Sequence, residues 1–559
     1  MRWALIGLAL VAGCTGAGST ATTLNLAPIC RQLTTEIVDR AQEFVDRFAD
    51  STLADFPEGE LPGLEELRAE IDVARADALG RGCGDFGFEE MLAAEARSIS
   101  GQGPIGRPLA ASLRGEDPAA GPPETVELGP DDDLAGTLYR LGGGSVVNLA
   151  AGTYDLEEAL LVDRELTING AGVGRTTIQS TAREGAILVV QPGALSLSDV
   201  AVEHSGEAPA NVVVAAGSGL LLESVHLSGA VADPEGEEGG HGLLLLGPEG
   251  SARSVVSDSQ FVGNERIGLA MFGTASAHIG GVVASGNGVC GICLFDDATA
   301  DLESSSLVGN EVGMGVSADG TLRATGLEVT GSTVAAAVIE ASATVTLEDS
   351  SLRDNESGIQ VSGSALATVT GNRIDGGEVG LLLLEEARAR IVDNTISGAG
   401  IGVQVGDQSG PVVRSNRITS SSSAAVVYTG SVGGLLTDNI LAEAGEVTVQ
   451  VAGSARPRIA GNTIEGPGPL GVNYTDDSSG SLVGNTFSGV DGGVQVSEKA
   501  TPRLESNVFD DLQEYSIVVF DDASGTISGN ICASGAPGII LVGGAAPTLE
   551  DNNCSVVRG

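Results

Sequence analysis

The sequence predicts a mainly β chain, a three-sided parallel β-helix preceded by a small α-helical domain. Three observations predict it. Asparagine returns on a fixed count: Asn372, Asn394, Asn416, Asn439, Asn462, Asn485, Asn507, Asn530 and Asn552 lie 22 or 23 residues apart, and a period of about 20 to 50 residues is the mark of a solenoid. Between these asparagines apolar residues alternate in short runs, as Ile464, Val472, Tyr474 and Leu482 do among Gly, Pro, Asp and Ser. Period-two runs bounded by turn residues read as strands. Glycine supplies 82 of the 559 residues, which suits a chain that bends several times per repeat and needs positive φ at the bends.

The repeat length selects the coil. At about 3.3 Å per residue, such a repeat is too short for two helices with their turns but fits three short strands and three turns. Coils of that kind, stacked about 4.8 Å apart, make a parallel β-helix. The asparagine tolerates unusual φ at a sharp turn and bonds neighbouring backbone; one coil apart, such side chains form a hydrogen-bonded ladder. These asparagines therefore read as structural posts, not catalytic groups. Asn264, Asn287 and Asn310 are 23 apart and Asn355 follows 45 later, a gap of two coils. The ladder then changes corner at Asn372. Dividing the span by the period gives roughly 17 to 19 coils.

These repeats resemble the right-handed parallel β-helix repeats of the pectin-lyase-like superfamily. The segment GGSVVNLAAGTYDLEEALLVDRELTINGAGVGRTTI (Gly143–Ile178) resembles that family's opening coil: a strand, a Gly-Thr-Tyr, then a Leu-Thr-Ile-x-Gly strand. The likeness runs from about Thr125 to Gly559 and implies a right-handed solenoid, in keeping with the handedness of parallel crossovers. It implies no single activity, because the superfamily includes lyases, hydrolases, epimerases and inert scaffolds.

Taken in order, residues 1–13 read as a lipoprotein signal peptide. Arg2 is a minimal basic start, and Trp3–Val11 is an apolar run too short to cross a bilayer. Val11-Ala12-Gly13-Cys14 resembles a bacterial lipobox, which implies cleavage before Cys14 and its lipidation; acyl chains contribute about 0.8 kcal/mol per buried CH2 to membrane anchoring. The alternative is an ordinary signal peptide with an incidental cysteine. The lipobox implies a bacterial cell-envelope protein, lipid-anchored at the outer membrane, periplasmic or surface-facing, with residues 14–22 as tether.

Residues 23–113 form the predicted helical domain. Ile29, Leu33, Ile37, Phe44 and Phe48 follow helical spacing, as do Leu64, Leu67, Ile71, Ala74 and Ala78; Met91, Leu92, Ala96 and Ile99 suggest a third helix. Pro57 and Pro62 separate the first two. Residues 114–125, rich in Pro, Gly and charge, are the linker, and 126–559 the β-helix. A short helix at Leu134–Leu141 would cap the first coil, since a bare terminal coil exposes strand edges and core. Val200 and Val225 are 25 apart, but Leu227 and its match Phe261 are 34 apart. About ten extra residues therefore sit near Gly229–Gly240.

Cysteine usage suits an oxidising compartment. Cys532 and Cys554 are 22 apart and fall on the same inward position of adjacent coils, where a spacing near 4.8 Å allows a disulfide. Cys30 and Cys83 can close the helical domain. Cys290 and Cys293 form a C-x-x-C outside any βαβ context, read as a local disulfide or free thiols before a redox pair.

Charge excludes some partners. With 75 acidic against 28 basic residues the net charge is −47, which repels phosphate backbones and argues against nucleic acid. Anionic polysaccharides are repelled too, unless cations bridge them.

Candidate chemistry lies in two places. His226, His241, Glu237 and Glu238 lie in or beside the insertion, where imidazole and carboxylate could do acid–base work or bind a metal; the simpler reading is a solvated acidic loop. A row of acids at one corner, including Asp297, Asp319, Asp476, Glu498 and Asp522, stacks like charges roughly 5–8 Å apart and could hold Ca2+; the simpler reading is a charged edge that blocks aggregation. No other cofactor is suggested. Gly240-His241-Gly242 occurs without the Asn-Thr-Asp, Asp-Asp and Arg-Ile-Lys that accompany it in the family's polygalacturonases, Lys499 is the sole lysine, and Trp3 the sole tryptophan. The expectation is a lipid-anchored, non-catalytic surface scaffold or carbohydrate-contacting module, its partners the membrane and a polysaccharide or cell-envelope protein. The alternative is a polysaccharide lyase, glycoside hydrolase or epimerase with its cleft near residues 229–241.

Overall fold

A computed structural model describes residues 27–47, 63–96, 99, 113, 121–183, 185–234, 238–248, 250–533 and 538–559. The signal peptide, the tether and Cys14 lie outside these residues. Contact clustering separates two compact units, one holding the helices before residue 117 and one holding the β-helix.

The helical unit contains α1 (Ala27–Arg47), α2 (Leu64–Gly80), a 3-10 turn (Cys83–Phe86) and α3 (Phe88–Glu95). Its buried stripe is Cys30, Thr34, Ile37, Ala41 and Phe44 from α1, with Leu67, Ile71, Ala78, Phe88 and Leu92 from the others. The stripe is turned from the expected one: Ile29 is 38% exposed. Three bonds turn the α1 face. The Cys30–Cys83 disulfide ties it to the 3-10 turn, and the hydroxyls of Thr34 and Thr35 both donate to the Glu95 carboxylate, at 2.6 Å each.

The solenoid begins with Thr125–Leu128, followed by the cap helix α4 (Leu134–Arg140). Asp133 caps α4 by accepting from the Gly136 amide at 2.8 Å. Each regular coil then has three strands. Thr344–Glu348, Ser351–Arg353 and Ser357–Val361 pair in parallel with Leu366–Thr370, Arg373–Asp375 and Val379–Leu383 of the next coil. Eighteen third strands stack in one parallel ladder among the described residues, within the expected coil count. Alternate side chains fill the interior: Val369, Ile391, Val413 and Leu436 from first strands, Ile374, Ile396 and Ile418 from second, Leu381, Val403 and Val426 from third, all at most 1% exposed. Fully burying each such side chain contributes about 1.5–3 kcal/mol.

From the coil of Asn264 onward, each coil carries a polar post inside this apolar column. From Asn372 to Asn552 it stands at the corner between first and second strands. Asn439 is typical: its Nδ2 donates to Asn462 Oδ1 and to the Val413 and Thr437 carbonyls, while its Oδ1 accepts from the Asn416 backbone amide and side chain, all at 2.8–3.0 Å. In earlier coils the post is at the next corner, with Asn264, Asn287 and Asn310 bonded in the same way. Ser332 fills the two-coil gap, its amide donating to Asn355 Oδ1. Ser350 at the first corner donates its amide to Asn372 Oδ1, so the two corners share one coil where the ladder switches.

The corners need left-handed backbone. Asp393, Ser415 and Asp438, each just before a post, have φ of 55°, 55° and 56°. A residue without Cβ, or a short polar one that bonds locally, bears this conformation at least cost, so the posts are preceded by Gly, Asp or Ser. We expect Asn439→Leu to destabilise the chain by at least about 3 kcal/mol, since several buried groups of the neighbouring coils lose partners worth about 1–3 kcal/mol each. Asn552→Leu, in the partly exposed last coil, should cost about 1 kcal/mol. Urea unfolding of both variants checks the difference.

Candidate functional site

The insertion folds as a small antiparallel hairpin, Ala232 bridging Gly239, and Val231 bridges Ala210 of the preceding coil. The Glu238 amide donates to Asp233 Oδ1 and the Asp233 amide to the Glu238 carbonyl, both at 3.0 Å. The Ala232 amide donates to the Glu265 carboxylate at 2.8 Å, which holds the hairpin to the following coil. Glu237 lies outside the described residues.

The two histidines do not share a face. His226 is on an outward position of Gly219–Ser228, opposite Gln260, with its Nδ1 3.3 Å from Gln260 Oε1. His241 opens the third strand His241–Gly247, where it is 6% exposed. Its amide donates to Asn211 Oδ1, its ring centroid is 6.4 Å from that of Phe272, and Nδ1 has no hydrogen-bond partner among the described residues. Burial, and then the neighbouring Arg266 guanidinium, push its pKa down to about 3. His241 is thus a neutral imidazole at physiological pH. The strand it opens is buried on both sides, which its Leu243–Leu246 run announces.

The acidic corner serves the backbone. In six coils an acid occupies the left-handed position, Asp296, Glu385, Asp407, Asp476, Glu498 and Asp521, with φ of 54–60°; in the others Gly or Ala does, as at Ala318, Ala341 and Gly453. Each carboxylate accepts a backbone amide from the preceding coil, at Gly273, Gly363, Glu385, Gly453, Asp476 and Glu498 respectively, over 2.7–3.2 Å. Two of the Ca2+ candidates, Asp476 and Glu498, are therefore rungs of a carboxylate–amide ladder. The others, Asp297, Asp319 and Asp522, are exposed beside it. Among the described residues no group of three or more His, Cys, Asp or Glu side chains is placed to hold a metal ion.

The disulfides join the cysteines that spacing paired. Cys532–Cys554 links the last coils with Cα atoms 5.0 Å apart, and Cys290–Cys293 closes locally within one strand. No helix among the described residues is long and apolar enough to cross a membrane.

A family model described as a right-handed β-helix region matches residues 313–454 and 402–554. No curated protein matches the chain. Among solved structures, the chain is similar to a mutant of the periplasmic alginate epimerase AlgG, at 13% identity over 62% of this chain and 86% of that one, with a TM-score of 0.34. It is also similar to a GH87 α-1,3-glucanase catalytic unit from Streptomyces thermodiastaticus, at 16% identity over 70% and 64% of the two chains, with a TM-score of 0.31. The tailspike protein 3 of bacteriophage CBA120 gives 11% identity, 64% and 56% coverage and a TM-score of 0.30.

His241 makes stability depend on pH. The unfolded imidazole takes a proton near pH 6.5, the folded one only near 3, so the unfolded state binds more protons between these values. Its contribution is complete above pH 6.5 and is lost as the pH falls toward 3, at up to about 1.4 kcal/mol per unit. We expect His241→Gln to flatten the fall in urea midpoint between pH 7 and 5; a parallel profile for the two proteins would contradict it.

Proposed function

We propose that the chain is an exported, lipid-anchored β-helix that serves as a non-catalytic surface scaffold or carbohydrate-contacting module. The observation that carries this reading is the stack of regular coils, which sets rows of outward side chains at about 4.8 Å intervals on flat faces suited to a linear polymer. The described histidines support it too: His226 faces Gln260 and His241 is buried in its strand, while the corner carboxylates hold backbone amides. The three disulfides suit an oxidising envelope or extracellular compartment. The anchor rests on the lipobox ending at Cys14. The alternative, a lyase, hydrolase or epimerase working beside the insertion, needs the groups at His226 and His241 to converge, and they stand on different faces.

Intact-mass measurement of the mature protein should show cleavage before Cys14 and added acyl mass; an unlipidated amino terminus would remove the anchor. On a glycan array the mature chain should retain at least one polysaccharide without releasing unsaturated or reducing sugars. Product release abolished by His226→Ala would instead establish the enzyme.

A further inference from the structure

Net charge hides how the charges are distributed. In the coils spanning residues 366–434, the first and second strands with the turn between them (366–375, 388–397 and 412–419) carry five arginines, Arg373, Arg388, Arg390, Arg414 and Arg417, against two acids, Asp375 and Asp393. The third strands and their flanking turns (376–387, 398–411 and 420–434) carry no basic residue and four acids, Glu378, Glu385, Glu386 and Asp407. Register gathers the arginines onto the two sides that meet at the corner of the Asn posts. Arg390 lies between Thr368 and Val412, Arg414 opposite Val392, and Arg373 and Arg417 flank Thr395 in one column, two coils or about 10 Å apart. All five are exposed. Arg373 pairs with Asp375 at 2.6 Å and Arg414 with Asp438 at 3.5 Å; Arg388, Arg390 and Arg417 form no ion pair among the described residues. Half-buried threonines, Thr368, Thr370, Thr395 and Thr419, fill the spaces between them.

We propose that this arginine face binds an anionic polysaccharide lying along the solenoid, with its carboxylates on the guanidinium groups and its hydroxyls on the threonines. The inference rests on the carbohydrate-contacting reading and names its ligand class. The guanidinium fork matches a carboxylate in two parallel hydrogen bonds. The face groups cations on a chain of strongly negative net charge. It carries no aromatic side chain on which a nucleobase could stack, so a sugar acid fits it better than single-stranded nucleic acid.

The test is equilibrium binding of the mature chain to a size-fractionated polyuronate, a neutral glucan and a single-stranded DNA. It is repeated on the triple variant Arg388→Ser, Arg390→Thr, Arg417→Thr, whose two threonines match Thr368 and Thr395 of the adjoining coils. We expect polyuronate binding that weakens with salt and falls at least tenfold in the variant at unchanged circular dichroism. Should the variant unfold, Arg417→Lys, which keeps charge but loses the fork, should still weaken binding measurably. Equal polyuronate binding by parent and variants overturns the proposal. So does DNA bound as tightly as polyuronate with the same sensitivity. A neutral glucan bound without polyuronate defeats the charged face and leaves carbohydrate contact standing, whereas no binding to any glycan defeats both.

Discussion

An amide side chain that donates to one coil and accepts from its neighbour is the interaction on which the solenoid depends. Backbone bonds also join the coils, along the strands and through the carbonyls of the posts, as from the Arg417 amide to the Asn394 carbonyl. The post closes a corner from inside. Asn394, for example, takes the Asn372 amide and side chain on its Oδ1 and gives its own hydrogens to Asn416 and two carbonyls. A buried amide with every bond met sits at no penalty in an apolar column, whereas a half-met one is costly. Ser332 interrupts the side-chain bonds, its buried hydroxyl unpartnered among the described residues, and a second run of posts begins at the other corner where the Ser350 amide donates to Asn372 Oδ1.

The corners themselves explain much of the acidity. A left-handed residue leaves an amide pointing along the axis, and an Asp or Glu one coil on can accept it. Asp476 does this for Gly453, and Glu498 for Asp476 in turn. The same residue type thus meets a backbone need and charges the edge of the solenoid, which discourages end-to-end and edge-to-edge association. Acids gathered at the third corner leave the opposite surface free for the arginines. The charge pattern follows from which positions the backbone claims first.

The sequence shows most clearly what the interior demands. The Asn posts, the place of the insertion and the Cys532–Cys554 link were legible because each depends on one inward position recurring at the coil period, and the cap helix because a terminal coil needs cover. Outward chemistry was less legible. The acidic corner had the correct spacing, yet the spacing serves a cation site and an amide ladder equally; only the direction of the carboxylates separates them. On α1 the apolar stripe pointed to Ile29, while a disulfide at Cys30 and the Thr34–Glu95 bond turn the buried face. The arginine face was invisible along the chain, because its five members are irregularly spaced and meet only through strand register.

If shared posts hold equivalent coils together, the unit that can be removed is one whole coil. Deleting residues 395–416 joins Asn394 to Arg417, a shift of 22 residues that keeps every strand in register. Circular dichroism and non-reducing peptide mapping should then show an intact β-helix with Cys532–Cys554 formed, while deletion of half that length should unfold the chain from the cut onward. Equal loss of structure in both deletions would contradict the account.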